Sequence, residues 1–200
     1  MKHKIFLVVI VVLVFSNIYF ISNYMTQKWI ADHYHFMTIN QATNALHSLP
    51  KQFDELSTAI LHDTSTEDQF MKIADLSSSL ATAENSFSYV NIYLSHSMPR
   101  TIGDSMGEIS TFFRDIHLYV NGQIRRYVTG DETISREDIL YHIDTFHQAT
   151  EYLKEHLDED ILYEGTYDNV KNHWSILTDE ITTEFTNNDV LTRYREWWID

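Results

Sequence analysis

The run Ile5, Phe6, Leu7, Val8, Val9, Ile10, Val11, Val12, Leu13, Val14 and Phe15 holds no polar side chain, and after Ser16 and Asn17 the apolar character resumes with Ile18, Tyr19, Phe20 and Ile21. As a helix from Ile5 to Met25 this segment is about 31 Å long at about 1.5 Å per residue, which matches a hydrocarbon core of about 30 Å. Residues 1–25 are therefore expected to tether the chain to a bilayer. The apolar residues from Ile5 to Phe15, with Ile18, Phe20 and Ile21, would face lipid. Tyr19, Tyr24 and Trp29 fall toward the outer end, where amphipathic rings favour the head-group layer. A cleavable export signal shares the charged start and apolar core, but its cut needs small residues one and three positions upstream. Val14 and Ser16 abut the apolar core with no polar spacer, and a cut after Ser22 puts Phe20 where a small residue belongs. A retained anchor is the expectation. No Cys follows the run, which excludes a lipid-modified cysteine.

Lys2 and Lys4 precede the run and every acidic residue follows it. The positive-inside bias then leaves the amino terminus in the cytoplasm and residues 26–200 on the extracytoplasmic side of a single-pass membrane protein, with no cytoplasmic output domain. The chain carries 14 Lys and Arg against 29 Asp and Glu, and without those two lysines the balance is 12 against 29. Such a surface repels polyphosphate and anionic lipid alike, so nucleic-acid binding is not expected and the bilayer is met through the anchor. With no cysteine, the expected domain has neither disulfides nor thiolate metal sites and rests on its hydrophobic core.

Only 5 Gly and 2 Pro occur in 200 residues, well below the usual usage of about 7% and 5%, which favours long helices with few tight turns. Beyond the anchor, apolar residues recur at steps of three and four. Ile102, Met106, Ile109, Phe113, Ile116, Val120 and Tyr127 predict a helix opening at Thr101 and Asp104 after Pro99. Phe70, Ile73, Leu80, Phe87, Val90 and Leu94 predict a second, capped by Thr66 with Gln69. Ile139, Ile143, Phe146, Leu153 and Leu157 follow Ser135 and Asp138, and Val170, Trp174, Leu177, Ile181 and Phe185 form a further stripe. The anchor helix is expected to run on toward Leu49 and stop at Pro50, with a short helix over Phe53 to Leu61. Short breaks between stripes predict an all-α fold, an up-and-down antiparallel bundle of four or five main helices.

Several patterns invite chemistry. His142 with Asp138, and His147 with Glu151, have ligand spacing on a helix, but neither forms the zinc pattern His-Glu-x-x-His; His33 and His35 point to different sides. The carboxylates Glu155, Asp158, Glu159, Asp160, Glu164 and Asp168 suggest calcium, yet starting from Asp158 the fifth and sixth loop positions are Leu162 and Tyr163 where an acidic residue and Gly are needed. A solvated acidic loop is expected. The string Gly103-Asp104-Ser105-Met106-Gly107 fits a nucleophile-elbow pattern in letters, but its context is a helix start rather than a strand and sharp turn. No catalytic residue, metal or cofactor is assigned. Tyr194, Trp197 and Trp198 concentrate aromatic surface near the C-terminus, where they either dock on the bundle or meet a partner. The expected activity is a non-enzymatic interaction or scaffold module of the cell envelope with an envelope protein as partner. The alternative is a ligand-sensing helical bundle acting through a partner, like the extracytoplasmic bundles of sensory receptors in architecture alone.

Overall fold

The computed structural model describes residues 2–95, 107–185 and 188–198. All regular structure among them is helical, with no strand. The chain falls into two units, Met1–Met37 and Thr38–Asp200.

The described residues of the first unit all belong to helix α1 (Lys2–Leu61). Its described side chains begin at Ile10, and the apolar ones are open on every side of the helix: Phe15 is 68% exposed, Ile18 57% and Ile21 59%. Trp29 stacks on His33, ring centroids 5.4 Å apart. Among the described residues no helix is long and apolar enough to cross a membrane. The anchor residues Ile5, Phe6, Leu7, Val8, Val9 and Val11 lie outside the described side chains.

The second unit takes the rest of α1, then α2 (Thr66–Ser95), α3 (Gly107–Tyr119), a π-helical turn (Val120–Ile124), α4 (Arg125–Val128), α5 (Arg136–His156), α6 (Glu159–Glu164), α7 (Tyr167–Glu184) and α8 (Asp189–Trp198). Their apolar faces meet in one core. At its centre Phe87 stacks on Phe113 at 5.2 Å and Phe112 meets Trp174 edge-on at 6.0 Å. Each of these rings is at most 1% exposed. The stripes read from sequence for α5 and α7 are the buried faces of those helices, with Ile139, Ile143, Phe146, Leu153, Val170, Trp174, Leu177 and Ile181 all in the core. Ser135 caps α5 by accepting from the Asp138 backbone N–H at 3.0 Å.

Helix α1 does not stop at Pro50; it runs through to Leu61. An interior proline costs about 3 kcal/mol through its missing N–H and ring clash. Packing on both sides outweighs that, since Ile39, Leu46 and Leu49 before it and Phe53, Leu56 and Ile60 after it are fully buried. The helix ends instead at Asp63, whose positive φ of 47° lets Thr64 N–H reach Ala59 O and Asp63 N–H reach Ile60 O. Arg136 crosses from α5 to donate to the Ile60 carbonyl at 2.6 Å and to the Leu61 carbonyl.

Three further expectations shift. The cap of α2 is Ser65, which accepts from Asp68 N–H at 3.2 Å, while the Gln69 amide reaches back to Thr64 O. The acidic stretch is no open loop. Asp158 caps α6 through Asp160 N–H at 3.0 Å, Glu159 meets His47 at 3.3 Å, and Leu162 is buried. Asp158, Glu159 and Asp160 stand at the start of α6, where carboxylates complement the macrodipole. The helix expected from Thr101 is described from Gly107 on; Pro99, Thr101, Ile102, Asp104 and Met106 lie outside the described residues. Its continuation is interrupted by the π-helical turn, which adds a residue to one turn between Val120 and Tyr127.

A cleft between α3 and α8

The π-helical turn is pinned from behind. Asn121 accepts from the Ser77 hydroxyl of α2 at 3.1 Å and donates to His117 O, and His117 itself faces Glu84 at 3.5 Å. With that side held to α2, the opposite side of α3 and the turn presents Arg114, Asp115, Leu118, Tyr119, Gly122 and Gln123 along successive turns. Facing them are Val190 and Arg193 of α8, and together they enclose a cleft of about 350 Å³. Gly122 leaves it open: a Cβ built there meets nothing within 4 Å.

Helix α8 is fixed as the far wall by Asn188, which is fully buried. Its Oδ1 accepts from Val190 N–H at 3.1 Å and Leu191 N–H at 3.2 Å, capping α8. This leaves its Nδ2 to donate to His142 Nδ1 at 3.0 Å, while His142 Nε2 lies 3.5 Å from Asp189. With Nδ1 accepting from Asn188, the ring proton of a neutral His142 lies on Nε2, toward Asp189. Burial pushes its pKa down, against the pull of Asp189, Asp138 and Asn188. The Tyr119 ring packs on His142 at 4.4 Å, and burial raises the phenol pKa, so it stays protonated.

The charges of the cleft are of both signs. Burial raises the Asp115 pKa, while Arg114 and Arg193 oppose the rise. Arg114 Nε stands 3.7 Å from Asp115 Oδ1, longer than a good hydrogen bond. A carboxylate held partly desolvated beside two guanidinium groups is poised to exchange contacts with a charged ligand.

The sites weighed from sequence are distributed differently. His142 pairs with Asn188 and Asp189 of α8 rather than with Asp138. Glu151 is taken by Lys154 at 3.0 Å rather than by His147. Among the described residues no group of three or more His, Asp and Glu converges as a metal site. Tyr194 is buried, receives the Trp174 indole N–H at 3.2 Å and meets Phe112 edge-on; it docks α8 on its own bundle. The side chains of Trp197 and Trp198 lie outside the described residues, as do residues 103–106 of the elbow-like string. Arg114, Asp115, Gly122 and Arg193 were not singled out in the sequence. The available signal was Gly122 inside a helical stripe, next to the one skipped step between Val120 and Tyr127.

These features define an all-α domain with a small polar cleft between two helices. No protein-family profile matches the chain, and neither a curated protein nor a solved structure is significantly similar to it.

Proposed function

We propose that this protein is a membrane-tethered helical module of the cell envelope, non-enzymatic, with its body on the extracytoplasmic side as an up-and-down bundle that engages another envelope protein. The observation that carries the reading is the exposure of apolar side chains all around α1 over residues 10–21. A helix apolar on every side belongs in a non-aqueous surrounding. In sequence the run extends back through residues 5–9 to Lys2 and Lys4, which favours a cytoplasmic tip. Alkaline carbonate extraction of membranes, with protease added to intact spheroplasts, tests it. The chain is expected to stay in the membrane pellet while added protease removes its body; release by carbonate, or full protection, overturns the tether or its orientation. Partner capture from solubilised membranes, compared with the Trp197→Ala, Trp198→Ala double variant, tests the module. Recovery of no specific partner by either form counts against it.

A second reading is favoured by the α3–α8 cleft: a ligand-sensing bundle that acts through a partner. Its support is the coincidence of a π-helical turn, a side-chain-free wall at Gly122 and a desolvated carboxylate between two arginines. π-Helical turns are costly and gather at functional sites.

A further inference from the structure

The geometry points to a free α-amino acid as the occupant of the α3–α8 cleft, with its carboxylate on Arg114 and Arg193 and its ammonium on Asp115. This inference rests on the second reading above and gives it a ligand class.

Size sets the first bound. A cleft of about 350 Å³ is at the small end of ligand sites, which run from about 300 to 1,000 Å³. It has room for a molecule of amino-acid size. Charge sets the second. In a chain with 14 basic against 29 acidic residues, two arginines line this one cleft, so it is a local positive site on an acidic surface. A guanidinium presents a planar fork of N–H donors that matches a carboxylate.

Asp115 narrows the choice. A purely anionic ligand would bring its charge against this carboxylate, and a purely cationic one would face both arginines. A ligand bearing both charges on neighbouring atoms satisfies all three groups. It also relieves the partial desolvation of Asp115, because an ammonium favours the ionised carboxylate that burial disfavours. Leu118 and Val190 supply apolar wall for a side chain, and Gln123 an amide for a polar one. The open space beside Gly122 leaves room for the ligand where any side chain would project.

The test is isothermal titration calorimetry of the full chain in detergent micelles against the common L-α-amino acids, with propionate and ethylamine as probes carrying one charge each. Three variants accompany it: Asp115→Asn, Arg193→Gln and the cleft-filling Gly122→Leu, which adds bulk where a Cβ meets nothing. Circular dichroism melts verify that each is folded. At least one amino acid is expected to bind, both single-charge probes to bind at least about tenfold more weakly, and Asp115→Asn and Arg193→Gln each to weaken binding by about tenfold or more. Gly122→Leu is expected to abolish binding while keeping the thermal midpoint. If propionate binds as well as any amino acid and Gly122→Leu removes it, the cleft stands as a ligand site and the zwitterion is wrong. If no probe binds the folded chain, or binding survives Gly122→Leu, the ligand-site reading falls with it.

Discussion

At the scale of single residues, Asp63 and His142 each make a measurable prediction, one through its backbone and the other through its burial. Asp63 sits at the left-handed position that ends α1, with φ of 47°, where a side chain costs about 1 kcal/mol and glycine costs nothing. Its contact with Arg136 is an exposed 3.3 Å pair, of a kind that contributes little. Asp63→Gly should therefore stabilise the domain by about 0.5 to 1 kcal/mol in urea unfolding; a loss of stability would mean that the ion pair outweighs the backbone. His142 is the second case. Its folded form prefers the neutral ring because burial disfavours the charged one, against the pull of Asp189, Asp138 and Asn188. The unfolded chain, with the ordinary value of 6.5, takes up the proton first as pH falls. This contribution to stability is present above that value and is lost as pH drops through it toward the lower folded value. His142→Asn keeps an acceptor facing Asn188 and cannot titrate. Its thermal midpoint should fall less than that of the unaltered chain between about pH 7.5 and about pH 5.5. Equal falls would remove His142 from the acid response.

Elements show which parts of the architecture sequence alone could supply. The buried faces of α5 and α7 were legible because their stripes are regular, and so was the Ser135 cap of α5; Thr166, which caps α7 through Asn169 N–H, and the separate helix α6 were not. Helix α1 misled at Pro50 because the local rule was right about cost and silent about the burial on either side. The acidic stretch misled for the reverse reason, since a count of carboxylates does not reveal that Asp158 closes a turn and that Glu159 finds His47 across the fold. The cleft was illegible because Arg114, Asp115 and Arg193 read as ordinary surface charges until the π-helical turn and α8 bring them together. Its glycine can be separated from the chain's structural ones by experiment. A Cβ on Gly165 would collide with the Ile161 carbonyl oxygen, whereas one on Gly122 meets nothing within 4 Å. Gly165→Ala should cost about 1 to 3 kcal/mol by forcing the end of α6 apart. Gly122→Ala should be neutral or slightly stabilising, as alanine for glycine in a helix usually is. Chemical denaturation of the pair decides this, and equal costs would mean that the π-helical turn itself needs glycine.

For the whole molecule, the consequential boundary is the one between the units at Met37 and Thr38, which lies within α1 and twelve residues beyond the end of the expected anchor at residue 25. The second unit uses α1 as one of its own core helices, with Ile39, Ala42, Leu46 and Leu49 fully buried ahead of Pro50. Losing one large buried aliphatic side chain costs about 2 to 5 kcal/mol, and a domain of this size has only about 5 to 15 kcal/mol in total. Removing Ile39, Leu46 and Leu49 together therefore exceeds or exhausts the margin. A chain beginning at Thr38 should keep its helical circular dichroism and one cooperative melt, because it retains the complete cluster. A chain beginning at Lys51 should show no cooperative transition, although it lacks only thirteen further residues. Comparable melts from the two would show that the first turns of α1 in this unit are accessory. Failure of the longer one would show instead that the first unit contributes to the fold, so that the segment read here as a tether would also be a structural part of the domain.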